Sequence, residues 1–122
     1  MGYGKTTFRV TIPGRPVPKG RPRLGKNGNV YTPARTKQYE QLVGWKVKEV
    51  VRKPFTGDVA MDIKVYIKCQ CGDLDNLEKA LLDGMNGIAY IDDKQVAALA
   101  IQRFKDKNER VEIELWEMSE DA

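Results

Sequence analysis

Between Val59 and Ile67 the sequence VAMDIKVYI places Val59, Met61, Ile63, Val65 and Ile67 at every second position, with Ala60, Asp62, Lys64 and Tyr66 between them. Successive side chains of an extended chain point to opposite faces, so this run specifies a strand with one dry face and one wetter face. A lone strand is unstable, and three other segments offer neighbours. TTFRVTI carries Phe8, Val10 and Ile12 on one side, VAALAIQRFK follows later, and RVEIELWE carries Val111, Ile113 and Leu115 inward.

Two helical patterns interrupt the strands. The first starts at Thr32 or Thr36, with Pro33 tolerated in a first turn, and runs to about Lys53, placing Tyr39, Leu42, Val43, Val47 and Val50 on one stripe before Pro54. The second covers roughly Asn76 to Asn86, gathers Leu74, Leu77, Leu81 and Met85 in one arc, and stops at Gly87. The order strand, basic loop, helix, strand, acidic turn, helix, strand, strand predicts an α+β fold: a mixed β-sheet of about four strands with two main helices packed against it. With 122 residues the chain suits a single domain, 1–122. No apolar run approaches the roughly 20 residues that span a bilayer, and the N-terminus lacks a secretory pattern, so the expectation is a cytoplasmic protein with no membrane contact.

Charge divides the chain in two. Residues 1–55 hold 13 Lys/Arg against 2 Asp/Glu, a net +11, while residues 56–122 hold 8 against 15, a net −7. One half suits phosphates and the other a cation. The cations concentrate in PGRPVPKGRPRLGKNGNVYTP, residues 13–33, where prolines and glycines forbid regular structure and the length asks for a function. The basic loop, 13–32, is expected to be mobile without a ligand, and Arg15, Lys19, Arg21 and Arg23 are its candidate contacts to nucleic-acid phosphates, positioning rather than reading sequence. Neither a Walker pattern nor G-x-G-x-x-G occurs, so no small-molecule nucleotide cofactor is implied. Cys69 and Cys71, with no histidine in the chain, make a structural zinc site improbable and read as reduced thiols at a strand end.

The acids form the second constellation. In DLDNLEK, residues 73–79, Asp73 and Asp75 lie two apart just before the second helix, and an extended backbone there points both carboxylates one way. Asp92-Asp93 arrives after that helix, and Asp93, or Asp92, could add a further oxygen. Oxygen ligands without histidine or thiolate favour a hard ion, Mg²⁺ above others. Lys79, one turn beyond Asp75, could steady the acids, stabilise a phosphorane-like transition state or position water. Each piece also has a plainer reading: Asp75 as a helix cap with Glu78 three residues on, Lys79 as a rung of an Asp75–Lys79–Asp83 ladder, Asp92-Asp93-Lys94 as a turn. The missing glycine at the loop's sixth position disfavours an EF-hand.

IPGRPVPKGRPR, YTP, DLDNLEKALLDGMNG, DDKQV and RVEIELWE together resemble the RusA family of Holliday junction resolvases, commonly phage- or prophage-encoded, in order and spacing from about Phe8 to Glu117. The resemblance implies a Mg²⁺-dependent endodeoxyribonuclease of DNA recombination and repair. Such an enzyme acts as a homodimer and nicks two strands of a four-way junction symmetrically, and two symmetric cuts are what a two-fold pair of sites delivers. Asp73, Asp75 and Asp93 then match the family's metal-binding acids, Lys79 its lysine, and Arg15 to Arg23 its basic segment. Some members carry arginines before the block, where this chain has Cys69-Gln70-Cys71-Gly72. The alternatives are a non-catalytic nucleic-acid-binding module and a less selective Mg²⁺ nuclease of branched DNA. Trp116 and Glu78 are candidate interface residues.

Overall fold

The computed structural model describes residues 7–20, 23–25, 28, 30–31, 33–69 and 73–118. Strand β1 (Phe8–Pro13) leads to two short strands, β2 (Arg23–Leu24) and β3 (Val30–Tyr31). Helix α1 (Ala34–Val50) follows, then β4 (Val59–Ile67), α2 (Leu74–Met85), a 3-10 turn at Asp93–Gln95, β5 (Val96–Lys105) and β6 (Arg110–Glu117). The sheet order is β1-β6-β4-β5. β6 pairs antiparallel with β1 and β4, whereas β4 and β5 run parallel. This is the expected α+β architecture, with a four-stranded mixed sheet and two main helices.

The basic loop departs from the expectation of wholly irregular chain. β2 and β3 pair antiparallel, Arg23 with Tyr31 and Leu24 with Val30. Gly28 makes the reversal possible: its φ of 78° is one that side chains resist, and its N–H donates to the Gly25 carbonyl at 3.0 Å.

The period-two alternation decides what is buried. Val10 and Ile12 of β1, Met61, Ile63 and Val65 of β4, and Val111, Ile113 and Leu115 of β6 all lie in one core with Tyr39, Val43 and Val47 of α1 and Leu77, Ala80, Leu81 and Met85 of α2. Both helices therefore cover the same sheet face. They approach closely at two glycines. A Cβ on Gly84 would sit 2.9 Å from the Glu40 carbonyl and 2.9 Å from Val43, and one on Gly44 would sit 3.1 Å from the Gly84 carbonyl. The opposite sheet face carries Arg9, Thr11, Asp62, Lys64, Glu112 and Glu114, and the ladder puts Trp116 beside Ala60 there, half-buried.

Parallel pairing of β4 and β5 has a directional consequence. Two parallel neighbours must be joined by a crossover that carries the chain back to the end where it started, and α2 is that crossover. Ile67 and Lys105 finish together at one end of the sheet, alongside Pro13 and Arg110, while Val59 and Val96 begin together at the other.

Candidate functional site

Asp73 is the N-cap of α2. Its backbone is extended (φ −96°, ψ 120°), and its Oδ1 accepts the Asp75 N–H at 2.9 Å, satisfying one of the donors that a helix start leaves open. The cap is thus Asp73, not Asp75. Because helical geometry starts at Leu74, Asp75 is already in the first turn, and the extended-chain argument for two parallel carboxylates does not hold: helix residues turn about 100° each. What remains is two exposed carboxylates on adjoining backbone, at an end whose dipole favours negative charge. Lys79 follows on the same helix, exposed, with no ion pair among the described residues. Asp83 has one, with Lys19 at 2.9 Å.

Asp92 and Asp93 lie beyond the other end of α2. Asp92 caps the 3-10 turn, its Oδ1 accepting the Lys94 N–H at 3.0 Å. That bond, with a hydrogen bond from the neighbouring Asp93, holds the Asp92 carboxyl below its usual range. Asp93 moves the other way: its hydrogen bond with Asp92, then desolvation and the charges of Asp92 and Asp83, raise it. The two carboxyls therefore titrate as a pair, with Asp93 the one that keeps its proton longer.

Gln95 holds this turn in place, and sequence reasoning assigned it no role. Its Oε1 accepts the Ile91 N–H at 2.8 Å and the Asp92 N–H at 3.0 Å, while its Nε2 donates to the Phe55 carbonyl at 2.7 Å and the Gly57 carbonyl at 2.8 Å. An amide is needed for this, because only an amide offers acceptor and donors on one planar head. The signal was present as Asp92-x-x-Gln95, the spacing of a capping box.

One chain does not bring all the predicted acids together. Among the described residues, no group of three His, Cys, Asp or Glu side chains is placed to hold a metal ion. The crossover explains this. Its 12 residues rise by roughly 18 Å, with Asp73 and Asp75 at the start and the Asp92–Asp93 turn past the finish. Asp93 feels the charge of Asp83, in the last turns of the helix. Within a single chain the residues present do not fit a three-carboxylate Mg²⁺ site.

The basic loop is tied down over its first part. The Lys19 N–H donates to the Asn76 carbonyl at 2.9 Å, and its ammonium lies 2.7 Å from Glu40 and 2.9 Å from Asp83. Gly20 N–H donates to the Thr36 hydroxyl at 3.1 Å, and Pro16 is buried. This stretch is docked between α1 and α2, not a free arm, and the Lys19 charge is met inside the protein. The Arg15 guanidinium sits 3.7 Å from Glu109 and donates to Cys69 Sγ at 2.9 Å, while remaining about half exposed. Arg21 lies outside the described residues, and Arg23 is described for its backbone alone, in β2. Cys69 is disulfide-bonded and so is not the reduced thiol expected; Cys71, the other cysteine of the chain, lies outside the described residues.

No helix among the described residues is long and apolar enough to cross a membrane. The model of the family described as "Endodeoxyribonuclease RusA" matches residues 13–116. A curated relative, the uncharacterized protein YqaN of Bacillus subtilis (strain 168), is 32% identical over 140 residues, an alignment that covers 92% of this chain and 97% of the relative. The matched span runs from the basic loop through both acidic segments to β6.

Proposed function

Since the chain belongs to the RusA endodeoxyribonuclease family, we propose that it is a Mg²⁺-dependent, structure-selective endodeoxyribonuclease that resolves Holliday junctions by paired symmetric nicks. The observation that carries this reading is the family match over residues 13–116, which includes both acidic segments and Lys79. In the proposal Asp73, Asp75 and Asp93 are the acids of the site. Lys79, exposed one turn after Asp75, lends positive charge to a phosphodiester that becomes more negative as it is attacked. Arg15, Arg21 and Arg23 contact DNA phosphates. No covalent intermediate is called for, since no serine, tyrosine or histidine stands among these residues.

The separation of the acids along α2 favours one competing reading, a nucleic-acid-binding module whose aspartates only cap helices. The homodimer in the proposal answers it. A second copy, bound water and the substrate phosphate are the available sources of further oxygen ligands, and Mg²⁺ is commonly held by one or two carboxylates completed in this way.

The two readings part on Asp73→Asn. Fluorescently labelled four-way junctions, flaps and linear duplexes are incubated with Mg²⁺ or with EDTA, and binding and cleavage are followed separately. The expected outcome is symmetric nicking of the junction by the wild-type protein in Mg²⁺ alone, with a loss of about 1,000-fold or more in Asp73→Asn while junction binding persists. Wild-type protein that binds junctions but never cuts them would establish the binding module, and equal cutting of flaps and linear duplexes would establish the less selective nuclease.

A further inference from the structure

At the end of the sheet where Ile67 and Lys105 finish side by side, Lys68, Lys105, Asp106 and Lys107 line a concavity of about 230 Å³. Three of these four are cations, and all three are exposed. The acid is already engaged: Asp106 accepts the Asn108 N–H at 2.8 Å and faces the Arg110 guanidinium at 3.5 Å. Among the described residues none of the three ammonium groups makes an ion pair. Three cations gathered around one acid that is already engaged leave a net positive potential that a polyanion would relieve.

The strand ends that carry Lys68 and Lys105 are braced. Tyr66 and Phe104, the cross-strand pair just inside the lysines, stack at 5.3 Å, and the Arg110 guanidinium lies 3.9 Å over the Tyr66 ring. The lysines thus leave from backbone whose neighbours are locked.

The position of the concavity matches the candidate site. Lys68 precedes Asp73 by five residues, so the chain between them spans at most roughly 18 Å. That is about half a turn of duplex, which repeats every 34–36 Å. Arg15 brings the root of the basic loop to the same end, because the Glu109 carboxylate it faces also accepts the Lys68 N–H at 3.1 Å. We propose that Lys68, Lys105 and Lys107 form a phosphate-binding shelf that holds a duplex arm of the DNA substrate beside the α2 acids, separate from the contacts of the basic loop. The shelf rests on the nuclease reading for the identity of its ligand.

The test is a salt titration of binding to a labelled junction, and to one of its arms as a linear duplex, without divalent cation. The triple variant Lys68→Gln, Lys105→Gln, Lys107→Gln is compared with a control of equal charge change at the far end of the sheet, Lys48→Gln, Arg52→Gln, Lys53→Gln. The shelf variant is expected to bind both DNAs at least about tenfold more weakly near 0.15 M salt, with the slope of log K against log salt reduced by about three, while the control stays within about twofold of wild type. Circular dichroism confirms that the exposed substitutions leave the fold intact. Wild-type binding that both triple variants weaken equally, or that neither weakens, overturns the shelf and leaves the nuclease reading standing. A wild-type protein that binds no DNA overturns both.

Discussion

An ammonium group 2.7 Å from Glu40 and 2.9 Å from Asp83 has little left to offer a phosphate. Lys19 stands in the middle of the most cationic stretch of the sequence, yet its two partners come from helices 21 and 64 residues away, beyond anything local pattern reveals. Burial by itself would lower the Lys19 pKa, but the hydrogen bonds and charges of Asp83 and Glu40 outweigh it, and the net movement is upward. A lysine raised in the folded state stabilises the fold fully below its unfolded value near 10.4 and loses that contribution as pH climbs through the folded value. Lys19→Met is therefore expected to cost about 1–3 kcal/mol in urea unfolding at pH 7, with the gap to wild type narrowing above pH ~10.5. Unchanged stability combined with weaker DNA binding would return Lys19 to the role of phosphate contact.

Elements were legible where their period was strong. VAMDIKVYI becomes β4 at the bounds its alternation marks, and the strands VAALAIQRFK and RVEIELWE become β5 and β6 in full. Pairing partners were not legible, because alternation fixes which face a strand buries and says nothing about its neighbour. The placement of Asp93 shows what that omission costs. A short distance in sequence after α2 read as a short distance in space from Asp73, but a helix that joins parallel strands must carry the chain away from where it began. The Asp92–Asp93 turn also depends on an element-level contact that spacing alone did not expose: Gln95 ties it to the segment before β4 through Phe55 and Gly57. Gln95→Ala leaves two backbone carbonyls and two N–H groups without partners, and a loss of about 2–4 kcal/mol is expected from thermal or urea unfolding. Gln95→Glu keeps the acceptor but turns a carboxylate oxygen toward both carbonyls, beside Asp92 and Asp93, so it should cost at least as much as alanine. Equal stability of all three would mean that the turn is held by something else.

For the molecule as a whole, the proposed function asks for two chains. A chain that keeps Asp73 and Asp75 at one end of α2 and Asp93 past the other has half of its proposed chemistry at each. On this reading cleavage per mole of protein falls steeply once dilution separates the subunits, and sedimentation should find a dimer over the range in which the enzyme is active. Specific activity that stays constant into the monomer range would count against the two-fold enzyme. Under the proposed function the basic half of the sequence would supply DNA-facing charge, though part of it is used for docking, and the lysines at the ends of β4 and β5 sit in the half whose net charge is negative. Net charge by half concealed them.

The directionality of the β4–α2–β5 crossover has a consequence for the cell under the proposed function. A newly made chain drifting alone past chromosomal DNA would carry disarmed halves of a cutter, and the hazard would arise only where copies accumulate and meet. Breakage would then be gated by abundance, a safeguard that follows from the direction in which one helix runs.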